Sequence, residues 1–210
     1  MSSIPSSHFN TTVIESVSDI AQLSQVVTDY AQHVRGILSS CAQDFTPEKE
    51  VDELTELVFT NNIMLDKIQE QIKNAKLSKN YKVIIARDSK FNKVQAIAIL
   101  ILGITFEKKH CWELHAMAPA YWNLKGLTHE DVKYKAPGAE TSVLQLAICL
   151  AQQANVESMH LLAANSAISL YERFGFKKVQ MTKSTQGLPP STFKKLFERT
   201  EMLLSVTNKL

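Results

Sequence analysis

The segment Asn165-Ser-Ala-Ile-Ser-Leu-Tyr-Glu-Arg-Phe-Gly-Phe176 restricts the architecture more than any other part of the chain. Asn165 is of a type that caps a helix by accepting an early backbone N–H. Gly175 supplies the left-handed residue on which helices end. Between them Ala167, Ile168, Tyr171 and Phe174 recur at helical spacing and form one apolar face. Phe176 then opens an extended run, Phe-Lys-Lys-Val-Gln-Met. A helix this short is marginal in water by itself. It must be docked, apolar face down, on a surface that the rest of the chain provides.

That surface is expected to be a sheet. Thr11 to Glu15 is a first strand. Asp19 to Ser39 carries a helical pattern (Ile20, Leu23, Val26, Val27, Tyr30, Val34, Ile37, Leu38), with Ser18 as its cap. Thr46-Pro47-Glu48 is a helix start: a capping residue, proline at the first position, then acid at the positive end of the dipole. That helix is expected to run to about Leu77, with a break near Asn61-Asn62. Strands follow at Tyr81 to Ala86, Val94 to Phe106 and Cys111 to Ala118, the last ended by Pro119, with Asp88 to Lys93 as a hairpin connection. Ala120 to Pro137 is a polar loop. Thr141 to Asn155 is a helix apolar on most sides and hence buried, and Ser158 to Ala163 is a short strand. Beyond the opening segment, Gly187-Leu-Pro-Pro190 forms a turn, Ser191 to Glu198 a helix and Glu201 to Val206 a last strand. Runs of antiparallel strands flanked by helices define an α+β sheet protein.

Composition narrows the function classes. The chain has 210 residues, 45% hydrophobic and 21% charged, which suits one domain over residues 1–210 with residues 1–10 as a flexible terminus. A net charge of +2 gives no electrostatic reason to expect nucleic acid or a membrane surface as partner. Cys41, Cys111 and Cys149 lie far apart, with no C-x-x-C pair and no histidine cluster at metal-ligand spacing. They predict reduced thiols in a reducing, cytoplasmic compartment and no metal. The longest apolar run, Ala96 to Ile104, is shorter than the roughly 20 residues a bilayer requires. Met1 to Asn10 lacks the charged and apolar regions of a secretory signal.

The opening segment resembles the closing signature of the GNAT superfamily of N-acetyltransferases, N-x-x-A-x-x-L-Y-E-x-x-G-F. The order of elements is similar to the GNAT fold over the whole chain. The resemblance implies a mixed, mostly antiparallel central sheet, splayed at its middle and flanked by helices. It implies an enzyme that moves an acetyl (acyl) group from acetyl-CoA to a primary amine, of a small molecule or a protein, by direct attack. In the family, the fourth strand carries the acyl donor and splays from the fifth, leaving backbone donors for the thioester carbonyl. The next loop and helix N-terminus bind the pyrophosphate, where unpaired N–H groups and the helix dipole favour an anion.

Here that strand is Trp112-Glu-Leu-His-Ala-Met-Ala-Pro119, with Met117 nearest the carbonyl. Lys135-Ala-Pro-Gly-Ala-Glu-Thr-Ser-Val-Leu144 resembles the family's R/Q-x-x-G-x-G/A loop followed by an apolar pair. By resemblance, Lys135, Ala136, Pro137, Gly138, Ala139 and Thr141 hold the phosphates, and Asn165 and Tyr171 complete the coenzyme site. Glu140 stands where the family has a second small residue, the loop from Pro119 to Lys135 is longer than usual, and Asn165 is one residue closer to Tyr171. Trp122-Asn-Leu-Lys-Gly126-Leu is an alternative phosphate loop.

Acyl transfer to an amine needs a base for the amine proton, donors for the developing oxyanion and a proton for the thiolate, whose thiol has a pKa of roughly 8.5. Tyr171 matches the family's acid. Side chains alternate along a strand, so Glu113, His115 and Met117 are expected on one face and Trp112, Leu114 and Ala116 on the other. Glu113 or His115 is then placed to take the amine proton directly or through water. Imidazole titrates in the right range, whereas a carboxyl needs burial to reach it; the choice between them stays open. Tyr121 and Trp122 either line an acceptor pocket or anchor their loop. The acidic stretch Asp44, Glu48, Glu50, Asp52, Glu53 and Glu56 is either a solvated face or an attraction for a cationic amine. Glu140 and the long loop motivate a reading of a different class: a GNAT-fold protein that binds acyl-CoA weakly and acts as a CoA-binding or protein-interaction module. Monomer and dimer are both compatible with the sequence.

Overall fold

The computed structural model describes residues 9–14, 17–43, 53–75, 80–106, 109–124, 133–179 and 199–206. The expected helix start at Thr46, the alternative loop at Lys125-Gly126, the turn from Gly187 to Pro190 and the helix from Ser191 to Glu198 lie outside the described residues. Within them, seven strands form one sheet in the order β1-β2-β3-β4-β5-β7-β6. They are β1 Phe9–Ile14, β2 Tyr81–Asp88, β3 Val94–Phe106, β4 Lys109–Pro119, β5 Ser158–Ala164, β6 Lys177–Lys178 and β7 Arg199–Ser205. Every pairing is antiparallel except β4 with β5. Parallel neighbours need a crossover, which α3, Ala139–Gln153, supplies. The other helices are α1 Val17–Gln43, α2 Glu53–Ala75 and the short α4 Ile168–Arg173.

The sheet is covered on both faces, and β3 shows it. Val94 to Leu100 is buried throughout, and its near-continuous apolar run reflects the two covers. Ile97 and Ile99 belong to the core under α1 and α2, whereas Ala96, Ala98 and Leu100 belong to the core under α3 and α4. On α1 the buried stripe is Ile20, Leu23, Val27, Tyr30 and Val34; on α2 it is Val58, Leu65, Ile68 and Ile72. Each such side chain contributes about 1.5–3 kcal/mol on burial, so the stripes dock both helices.

Two details depart from the sequence expectations. Ser18 lies inside the first turn of α1, which begins at Val17. The break expected near Asn61-Asn62 is absent, and α2 runs unbroken from Glu53 to Ala75. Asn61 occupies the buried stripe between Val58 and Leu65, 3% exposed, with its Nδ2 donating to the Pro119 carbonyl at 3.4 Å.

A bulge in β3 anchors the chain that leads into α3. Ala86 pairs with Ala96 and Arg87 with Val94, leaving Gln95 as an extra residue. Gln95 is fully buried. Its Oε1 accepts from Trp122 Nε1 at 2.8 Å and Asn123 Nδ2 at 2.9 Å, and its Nε2 donates to the Tyr134 carbonyl at 3.0 Å. Asn123 Oδ1 in turn accepts the Ala136 N–H at 2.8 Å. Tyr121 and Trp122 pack edge-on against Tyr30, so both rings anchor this segment to α1.

Candidate active site

β4 and β5 pair from Cys111 opposite Ser158 to Leu114 opposite Leu161, and no further. At that point β4 carries a second bulge: Leu100 pairs with Leu114 and Ile99 with Ala116, leaving His115 as the extra residue. A bulge bends the strand that carries it, and this bend coincides with the separation. β5 stays with β7 as far as Ala164 opposite Arg199. One edge of β4 beyond Leu114 therefore has no strand partner among the described residues, and the sheet is splayed at its middle.

The same bulge corrects the expected face assignment. Glu113 and His115 do not share a face with Met117. Met117 packs with Trp112 and Leu114 in the core under α3, and Ala116 and Ala118 pack under α1 and α2. One extra residue inverts the alternation beyond it. Glu113 faces the α1–α2 side, where Lys67 of α2 acts on its charge.

Glu113 Oε1 and His115 Nδ1 are 2.7 Å apart, each side chain about a quarter exposed. This bond holds the Glu113 carboxyl below the ordinary carboxylate range. Ionised Glu113 can only accept, so Nδ1–H donates and the neutral ring keeps its lone pair on Nε2. His160 stands opposite Glu113 in the β4–β5 register, and its Nε2 lies 2.9 Å from Glu201 Oε1. Four acid–base groups therefore gather where the strands part. Spacing in the sequence showed no role for His160 or Glu201, because strand register alone brings them to this point.

A cavity of about 380 Å3 lies at the opening. Asn61 and Met64 of α2 line it from one face, and Gly138 just before α3, Glu140 and Thr141 of α3 and Tyr171 of α4 from the other, with Met117 and Pro119 of β4 between them. Walls from both faces mean that the space passes through the sheet. An adjoining lobe is bordered by Asn165, Asn123 and Glu56 and shares Glu140 and Leu124 with the first. Glu113 and His115 do not line either space; they sit beside the apex of the splay.

No protein-family model matches the chain, and none of the curated proteins is similar to it in sequence. Solved structures are similar in shape. A GNAT-family protein from Desulfovibrio desulfuricans superimposes with a TM-score of 0.54 at 12% identity, over 94% of this chain and 100% of that one. A GNAT-family acetyltransferase from Staphylococcus aureus gives 0.53 at 11% identity, over 94% and 100%. Mutant forms of the spermidine/spermine N-acetyltransferase SpeG from Vibrio cholerae give 0.52 at 10% identity, over 95% and 94%. The chain has the GNAT fold.

The GNAT cleft of this chain has its own chemistry. Gly138 precedes α3 with φ 95°, a left-handed conformation that a side chain would strain. The first N–H groups of α3 have no intrahelical partner, and this end of the helix borders the cavity. The Ala136 N–H, by contrast, is committed to Asn123, and Lys135 and Pro137 are exposed. Glu140 lines the cavity, and burial pushes its carboxyl above the ordinary range. The splayed edge, the glycine and the helix N-terminus offer backbone N–H donors to a carbonyl or an anionic group, and an ionised Glu140 would oppose an anion there.

Tyr171 is 7% exposed, with its ring edge-on to Phe176 at 5.8 Å. The Phe176 N–H donates to the Tyr171 carbonyl at 3.2 Å, a reversal that Gly175 permits at φ 89°. Burial, and second the nearby Glu140, push the Tyr171 hydroxyl far above its ordinary value. It keeps its proton at neutral pH and can donate. Asn165 does not cap this helix: it opens a 3-10 turn, Asn165–Ala167, and the cap of α4 is Ala167, without a side-chain bond.

Proposed function

We propose that the protein is a single-domain N-acetyltransferase that moves an acetyl group from acetyl-CoA to a primary amine. The observation that carries this reading is the cavity through the splay, walled on both faces and bordered by Met117 and Tyr171. Two substrates can meet there from opposite sides of the sheet. Acetyl-CoA supplies an acyl group activated as a thioester. In this reading, the unpaired edge of β4 near Met117 donates to the thioester carbonyl. The N-terminus of α3 at Gly138, Ala139 and Thr141 takes the phosphates, with Lys135 at the rim.

The amine lone pair forms the N–C bond, and the C–S bond breaks with its electrons on sulfur. Tyr171 donates a hydrogen bond to that sulfur. A hydroxyl pushed this far up stabilises a thiolate more readily than it surrenders its proton. His115 Nε2, oriented by Glu113, receives the amine proton through water, since neither side chain lines the cavity; Glu113, held below the ordinary carboxylate range, is the weaker candidate base. Unbridged Cys111 and Cys149 support a cytoplasmic, reducing setting. No described helix is long and apolar enough to cross a membrane.

Calorimetric titration with acetyl-CoA, and with CoA in parallel, tests the reading. Binding that Gly138→Asp weakens at least tenfold, through like charge at the phosphates, supports it. Wild-type protein that binds neither compound removes it. Glu140 favours a second reading, a GNAT-fold module that binds CoA weakly and engages a protein. Binding without turnover across a broad amine panel, or binding restored by Glu140→Gly, supports that alternative.

A further inference from the structure

Acyl transfer to an amine moves more than one proton. An alkylammonium, with a pKa near that of lysine at roughly 10.4, gives up one before it attacks. Once the N–C bond has formed, the nitrogen loses a second, and the sulfur gains one as the C–S bond breaks. The first can leave through water to His115. The other two are exchanged inside the cleft, whose lining includes neither His115 nor Glu113. Tyr171 borders that space, but burial holds its proton too firmly for it to be given up.

Glu140 stands where this exchange takes place. It lies in the first turn of α3, two residues beyond Gly138. Its side chain lines the main cavity on the same wall as Tyr171, and Met117 of β4 borders the same space. It lines the adjoining lobe as well, so the carboxyl sits where the two spaces join. Its charge is felt at the Tyr171 hydroxyl, which places the two groups within electrostatic reach of each other. Of the other ionisable side chains described there, Glu56 borders only the lobe, and the Arg173 guanidinium keeps its protons.

Building on the acetyltransferase reading, we infer that Glu140 is the proton carrier of the cleft: its carboxylic acid protonates the departing sulfur, and its carboxylate recovers a proton from the acylated nitrogen. The amine lone pair forms the N–C bond and the carbonyl π electrons move to oxygen. As they return, the C–S pair goes to sulfur and takes the Glu140 proton. The carboxylate then removes the extra N–H proton, leaving an amide, a thiol and a neutral Glu140. Nitrogen and sulfur are bonded to one carbon in the tetrahedral intermediate, so the two oxygens of a single carboxyl can meet both. Burial favours the acid form at the start, against the pull of the helix N-terminus toward the anion. A phosphate-bearing donor favours it too, since the neutral carboxyl does not repel it. Donor binding therefore brings Glu140 into the state that the sulfur needs.

The test compares wild type with Glu140→Gln, which keeps the shape of the side chain and removes its titration. Acetyl-CoA is held saturating, and hexylamine, hexane-1,6-diamine and a lysine-containing peptide serve as acceptors. Glu140→Gln should lower kcat by about 10²-fold. Wild-type kcat should fall as pH rises through the raised Glu140 value. The variant should lose that fall and keep the one in acid, which belongs to His115 with Glu113, His160 and Glu201 around it. Calorimetry in buffers of different ionisation enthalpy supplies a readout free of turnover: above the raised value, wild type should take up a proton on binding CoA that the variant does not. An unchanged kcat in the variant overturns the inference, even where CoA binds it more tightly, because Glu140 would then act on donor affinity alone. A kcat ratio that is constant across pH, or equal proton uptake in the two proteins, also overturns it. Turnover in wild type with an unaffected variant leaves the acetyltransferase reading standing; a wild type that acetylates none of the three amines removes both.

Discussion

Tyr171 and Glu140 share one wall of the cleft, and Glu140 adds to the burial that pushes the Tyr171 hydroxyl up. If Tyr171 donates a hydrogen bond to the departing sulfur, Tyr171→Phe should lower kcat by about 10²-fold, the low end for loss of one preorganised donor to developing charge. The Kd for acetyl-CoA should stay within twofold. Unchanged turnover would take Tyr171 out of the chemistry. Glu140 is a matter of sign. Its carboxyl is raised by burial, so it is neutral below that raised value and charged above it. Wild-type affinity for CoA should therefore improve, relative to Glu140→Gln, as pH falls through that raised value. Comparison between the two proteins cancels the titration of the coenzyme's own phosphate. Calorimetry at several pH values reads the difference, and parallel pH profiles would show that Glu140 stands clear of the phosphates. Gly175, on which the helix was expected to end, was legible because a left-handed glycine is a local signal. The inward direction of Glu140 was not, because it depends on how α3 sits over the sheet.

Among the elements, β4 decides most, and it does so through one inserted residue. If the bulge at His115 bends β4 away from β5, excising His115 should straighten the strand. Trp112, Leu114 and Met117 would keep one face, and Ala116 and Ala118 the other, so both cores survive. The shortened protein should stay folded by thermal unfolding yet lose most of its CoA affinity by calorimetry. A deletion variant that still binds CoA as wild type would show that the splay has another cause. The strands and the two long helices were legible from periodicity, since alternation and the 3.6-residue repeat are properties of the segment itself. The bulges were not, because an extra residue is defined only against a partner strand. Gln95 came nearest to giving a signal, as a lone amide at the head of an apolar run. The helix break expected at Asn61-Asn62 failed for a related reason: tertiary packing overrode two weak helix formers.

At the scale of the molecule, two cores share one sheet and the acid–base cluster lies on its α1–α2 face, so pH acts on stability as well as chemistry. Glu113 has its carboxyl lowered by the bond from His115. The stabilisation is present above the ordinary carboxylate pKa and is lost as pH falls through the depressed value. His115→Ala should cost up to about 1 kcal/mol at neutral pH, as befits a partly exposed pair. The gap between variant and wild type should close as the solution is acidified below about pH 4. Urea unfolding across that range measures it, and a gap that persists in acid would mean that His115 acts through packing.

What the sequence determined by itself was the order of the elements, the apolar faces, the positions of Gly138 and Gly175 at helix ends and, through them, a GNAT-like architecture. These rest on capping, conformational preference and periodicity, which operate within a few residues. Tertiary structure alone decided which groups meet: Asn61 with the end of β4, Glu140 with Tyr171, Glu113 with His160 across β4 and β5. Those meetings depend on strand register, and register is set by pairing between segments far apart in the chain, where one bulged residue is enough to send a side chain to the other face.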